Sequence, residues 1–129
     1  MWYAAHIIQY VRFLDGMQDT YPCYENVVLV KANSADEALQ AATVIGQTTY
    51  GIDYGTGFTW NKRPAEWVFA GIRKLIECSN MDVDMLDAHD SEFRPTHGTE
   101  ITYSELEVDN AEELRKLVAG APATIHYER

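Results

Sequence analysis

The sequence predicts an α+β domain: a mostly antiparallel sheet of five to six strands in the order ββα-ββ(β)-αβ, with two helices on one face. Three observations predict it. Segments rich in aromatic and β-branched side chains recur along the chain, separated by turn residues. Two amphipathic stretches each open on a capping residue. The connections between the strand segments suit hairpins, and the helices interrupt them only twice.

Residues 2–13, WYAAHIIQYVRF, read as the first strand. Asp15-Gly16 and Pro22 mark the connection that follows. Residues 24–32, YENVVLVKA, read as the second strand, antiparallel to the first. Ser34 and Glu37 form an S-x-x-E capping box, so a helix starts there; Ala38, Leu39, Ala42 and Ile45 repeat at helical spacing, and Gly46 is a stop signal with fraying toward Thr49. Residues 50–57, YGIDYGTG, are glycine-rich. Residues 58–60 suit a short strand, 61–64 a turn, and 66–77, EWVFAGIRKLIE, a long strand. Residues 99–108 form another strand. Asp109 or Asn110 caps a second helix with Leu114, Leu117 and Val118 on one side and Gly120 as its stop. Residues 122–128 close the sheet.

The chain of 129 residues fits one domain over 1–129, long enough to bury a core. Its 47% hydrophobic and 23% charged content suit an ordinary globule. Residues 79–97 stand apart. Asp82, Asp84, Asp87, Asp90 and Glu92 make this an acidic loop, expected to be mobile and dispensable for folding. The run lacks the register of a calcium-binding loop. The net charge of −10 argues against binding duplex nucleic acid or an anionic membrane. No apolar run is long enough to span a bilayer, and the first residues lack a basic, cleavable leader pattern, so the expected location is cytoplasmic. Cys23 and Cys78 read as reduced thiols. The four histidines have no short metal spacing, and no nucleophile motif is present; neither a metal, a cofactor nor a catalytic residue is called for.

Strict alternation puts Val68, Ala70, Ile72, Lys74 and Ile76 on one face of the 66–77 strand, and Trp67, Phe69, Gly71, Arg73 and Leu75 on the other. The first strand is apolar on both faces as well. Two helices on one face would leave the second face bare, which predicts a homo-oligomer.

The opening MWYAAH, the ENVVLVKANSADEALQAA segment, the strand WVFAGI and the later GTEITYSE resemble a bacterial family known as domain of unknown function 4288, from Trp2 to about Val108. The resemblance implies a small α+β domain of bacteria or their phages. It implies no activity and transfers no functional residue, and the acidic stretch 79–97 has no counterpart in it.

The candidate site is a patch of cations and aromatic rings: Trp60, Asn61, Lys62, Arg63, Trp67, Phe69 and Arg73. With Lys74 it holds four of the ten basic residues of an acidic chain. Aromatic rings stack on planar ligands and guanidinium groups fork to phosphate or carboxylate oxygens. The expected function is a non-catalytic small-ligand-binding protein for an anionic, nucleotide-like molecule. The alternatives are an acidic interaction or inhibitor module for a basic protein partner and, least supported, an enzyme. Against the site stands the reading that the tryptophans are core and the arginines pair with internal carboxylates. The glycines at 51, 55 and 57 lack phosphate-loop spacing and read as a flexible loop beside the patch.

Overall fold

The computed structural model describes residues 1–51, 57–79 and 96–128. Its elements are β1 (Trp2–Phe13), β2 (Tyr21–Lys31), α1 (Ala35–Thr49), β3 (Thr59–Trp60), β4 (Arg63–Glu77), β5 (Glu100–Val108), α2 (Ala111–Val118) and β6 (His126–Tyr127). Among the described residues the six strands form one curled sheet in the order β3-β4-β1-β2-β5-β6, and every neighbouring pair is antiparallel. The α+β class and the element order are those expected. The acidic run from Asp82 to Glu92 lies outside the described residues. No helix among the described residues is long and apolar enough to cross a membrane.

Local chemistry sets the element ends. Ser34 Oγ accepts from Glu37 N at 3.2 Å, while Glu37 Oε2 accepts from Asn33 N at 3.0 Å. Asn110 Oδ1 accepts from Glu113 N at 2.9 Å and caps α2. β2 begins at Tyr21, three residues earlier than expected, because Pro22 lies beyond the last β1 partner, Cys23. Its missing N–H therefore costs the β1 ladder nothing. Asn61 and Lys62, at φ 51° and 66°, make the left-handed two-residue loop joining β3 to β4. Arg63 and Pro64 thus belong to β4 and not to the turn.

The helices lie on opposite faces, which corrects the expectation of one shared face. Ile7 and Ile8 are adjacent on β1 and both fully buried. Ile7 packs with Tyr3, Ala5 and Val28 against Ala38 and Ala42 of α1. Ile8 packs with Cys23, Leu106 and Val108 against Leu114 and Leu117 of α2. Adjacent strand residues point to opposite sides, so each helix covers one face of the central strands. The double apolar pattern of β1 is met within the chain.

A third cluster, Val11, Phe13 and Ala65 with Phe58, Trp60 and Trp67, extends α1's face beyond the helix. Between it and the α1 core runs a polar chain. Gln9 Nε2 donates to Asn26 Oδ1 at 2.9 Å, and Asn26 Nδ2 donates to Glu100 Oε1 at 2.7 Å. Tyr50 OH donates to the same oxygen at 2.8 Å.

Strand β4 departs from simple alternation. While β1 steps from Gln9 to Ile8, β4 advances from Phe69 to Gly71; while β1 steps from Ile7 to His6, β4 advances from Ile72 to Lys74. Ala70 and Arg73 are the extra residues of two bulges, and each bulge shifts the side chains that follow to the other face.

Candidate functional site

The aromatic members of the expected patch come together only in part. Trp67 stacks on Tyr24 with ring centroids 4.8 Å apart, and Trp60 meets Trp67 edge-on at 5.7 Å. Tyr103 joins through Tyr24 at 5.7 Å. Phe69 lies apart from this cluster, packed against α1 at Gly46. Asn61 and Lys62 stand exposed at the tip of the hairpin.

Both arginines are engaged inside the chain. Arg63 forks onto Asp15, with Nε to Oδ2 and Nη2 to Oδ1 both at 2.8 Å. It also donates to the Met17 carbonyl and lies 3.7 Å above the Phe13 ring centroid. These contacts fasten the β1–β2 loop to the start of β4. The hydrogen bond from Arg63, seconded by the Met17 N–H, holds the Asp15 carboxyl down at about 2.

Arg73 is not on Trp67's face, as strict alternation had placed it. As the extra residue of the second bulge it turns to α2's side. There its Nη1 donates to the carbonyl of Leu117, with Ala121 O at 3.4 Å. The Leu117 carbonyl belongs to the last turn of α2, where it also accepts from Gly120 N at 3.3 Å, and a cation suits that negative dipole end.

The same bulge assembles a different site. Lys74, His6, Val27 and Thr102 stand in one row across β4, β1, β2 and β5. Glu25 and Ser104 are paired in the adjoining row. His6 Nδ1 and Glu25 Oε2 are 2.6 Å apart, and both side chains are mostly buried. These residues and Arg73 form one wall of a recess of about 330 Å³. Leu117 of α2, with Ala123 and Ile125 from the segment after it, forms an apolar wall opposite. The polar wall offers two cations, Arg73 held by α2 and Lys74 exposed, with an imidazole and two hydroxyls, and its one carboxylate is engaged by His6. Such a set can hold an anionic head group, while the apolar wall takes the remainder of a small ligand.

A second cleft, of about 570 Å³, opens between Tyr10 and Val68 on the sheet and Leu114 and Val118 of α2. Its lining is chiefly apolar and no set of polar groups converges there. The thiol of Cys23 sits beneath α2, and burial pushes it up to about 12, so it stays protonated and unreactive.

The profile of a family described as a domain of unknown function, DUF4288, matches residues 2–101. The chain belongs to that family. Neither a curated protein nor a solved structure matches it. The DUF4288 span runs from β1 into the start of β5 and includes His6, Glu25, Arg73 and Lys74. Thr102, Ser104 and all of α2 and β6 lie beyond it.

From sequence, Arg73 of this recess belongs to the expected patch and Lys74 to its clustered cations. His6 reads there as a structural residue within a strand, and Glu25, Thr102 and Ser104 are not singled out. The signal available was modest: Thr102 and Ser104 are polar at alternate positions of one strand, as His6 is polar in an otherwise apolar one. Their meeting depends on strand order.

Proposed function

We propose that the chain is a non-catalytic binder of a small anionic ligand, held in the recess between the sheet and the end of α2. The observation that carries this reading is the row that sets Lys74 beside His6 and ends at Thr102, with Arg73 at the same wall. An acidic chain gathers two cations there, across from hydroxyl donors. Arg73 gives Nη1 to the end of α2 and lines the same recess, so its charge is held in place there. Lys74 is exposed and supplies mobile charge. Among the expected site residues, Trp60 and Trp67 support this reading least, because they lie on the other face of the sheet.

Thermal melts with inorganic phosphate, nucleoside monophosphates and diphosphates, and dicarboxylates test it. A ligand at a hundredfold excess over its Kd adds about 2.7 kcal/mol to apparent stability. Lys74→Ala is expected to leave the unliganded melt unchanged and to remove the ligand's shift, and Thr102→Val to reduce it. No shift with any of these anions, or one that survives Lys74→Ala, overturns the reading.

A further inference from the structure

On the opposite face from the anion recess, the sheet curls so that the β3–β4 hairpin approaches β5 and β6. Trp60 of β3 lies 6.5 Å, ring to ring, from Tyr24 of β2, two strands beyond β4 in the sheet. Trp60 and Asn61 border a recess of about 220 Å³ whose other lining includes Glu105, Glu107 and Glu128. Glu105 and Glu107 share a face of β5 with Tyr103, which is 58% exposed and packs on Tyr24. An aromatic surface made of Trp60, Trp67, Tyr24 and Tyr103 therefore runs directly into a carboxylate-lined recess.

Two features fix the chemistry of an occupant. The rings present negative π faces, which attract cations within about 6 Å. The carboxylates present acceptors at the end of those rings, and none of the three makes an ion pair among the described residues. A metal ion is the wrong occupant, since no group of three or more ligating side chains converges among the described residues. A planar guanidinium satisfies both features together: its face stacks on a ring while its edge forks to a carboxylate. The recess is too small for a nucleotide and of a size for one side-chain head.

We propose that this aromatic and acidic surface docks a basic segment of a partner protein, with an arginine side chain of the partner seated between Trp60 and Glu107. The site is independent of the anion recess, which lies across the sheet. The net charge of −10 attracts such a segment at long range, and the rings select arginine over lysine at contact.

Binding of a short oligo-arginine peptide, followed by tryptophan fluorescence at near-physiological salt, tests the proposal, with an oligo-lysine peptide of equal charge beside it. Saturable binding is expected, tighter for arginine, and weakened about tenfold by Trp60→Leu and severalfold by Glu107→Gln. Asp36→Asn, on α1, removes the same charge at a distance and is expected to change nothing. Equal weakening by Asp36→Asn and Glu107→Gln would reduce the interaction to general acidity and overturn the proposal. So would equal affinity for the two peptides, or no binding at all. Should Trp60→Leu unfold, Tyr103→Ala at its exposed position takes its place, since loss of that ring is expected to weaken arginine binding while leaving the fold intact.

Discussion

Arg73 of β4 donates through Nη1 to the carbonyl of Leu117 at the end of α2. A bulge in one element thus supplies the cap of another. The contact also fixes the guanidinium at the edge of the candidate anion recess, so a single residue has both a folding role and a place in the site.

Replacing Arg73 by Met keeps the aliphatic stem and removes the donors. The Leu117 carbonyl then keeps the Gly120 N–H at 3.3 Å but loses a charge-assisted bond, at a cost of about 1–3 kcal/mol. Arg73→Lys is expected to recover part of this, because an ammonium still meets a carbonyl but cannot span the same set. Urea unfolding of the three proteins measures it. Equal stability of all three would remove Arg73 from the account of α2.

Arg63 and Asp15 give a pH-dependent signature. The Asp15 carboxyl is held at about 2 in the folded chain, against an ordinary value of 3.8. A group whose pKa is lowered on folding contributes stability above its unfolded value, and that contribution fades as pH falls through the folded one. Arg63→Met should therefore be less stable than the parent near neutral pH, and the gap should narrow between about pH 4 and about pH 2. Melting curves of both proteins across that window check it. A gap independent of pH would mean that the Phe13 contact, and not the ion pair, carries the effect.

The fold was legible where chemistry is local. β1 and β5 and both helix starts follow from residue type and capping, and the β1–β2 and β3–β4 pairs follow from short connections, whereas the β1–β4 and β2–β5 pairs join strands far apart in sequence. The placement of the helices was not legible. The stripes of α1 and α2 are both apolar, and nothing in either says which face of β1 it meets. The expectation of a second copy came from apolar faces that these two helices cover. Nor were the bulges of β4 legible, since apolar side chains line both of its faces and its adjacent charged pair, Arg73 and Lys74, falls one on each face under strict alternation. The candidate site moved for the same reason: Arg73 shifted from the tryptophans to a histidine whose partner, Glu25, is on another strand.

Gly46 looked like a stop, yet α1 continues to Thr49. Its missing side chain serves packing. A β-carbon on Gly46 would lie 2.2 Å from Phe69 Cε1. Gly46→Ala gains helix propensity, up to about 1 kcal/mol, but forces the ring to move, which costs about 1–3 kcal/mol. A net loss of stability is expected for the single variant. Relief should follow when Phe69→Leu removes the ring atoms, so that Gly46→Ala then stabilises the chain that already carries Phe69→Leu. Chemical denaturation around this double-mutant cycle reads the coupling. An additive cycle would show that Gly46 and Phe69 do not constrain each other.

Among the described residues, Gln9 and Asn26 are the buried polar residues of the sheet's α1 face, and their chain of hydrogen bonds ends on Glu100 and Tyr50. A hydrogen bond between buried amides adds little net stability, but removing one partner strands the other. Asn26→Val takes the acceptor from Gln9 Nε2 and the donor from Glu100, at an expected cost of about 2–3 kcal/mol. Gln9→Leu made together with Asn26→Val removes both amides and replaces them with apolar groups. The Gly51 N–H then loses its acceptor, Gln9 Oε1 at 3.3 Å, which is a lesser loss because that bond is long and the residue is only half-buried. The double variant is therefore expected to be more stable than Asn26→Val alone, although it removes more hydrogen-bonding groups. Thermal or urea melts of the single and double variants decide it. A double variant less stable than the single one would mean that the amide pair stabilises the sheet outright, and that the boundary between the α1 core and the aromatic cluster depends on it.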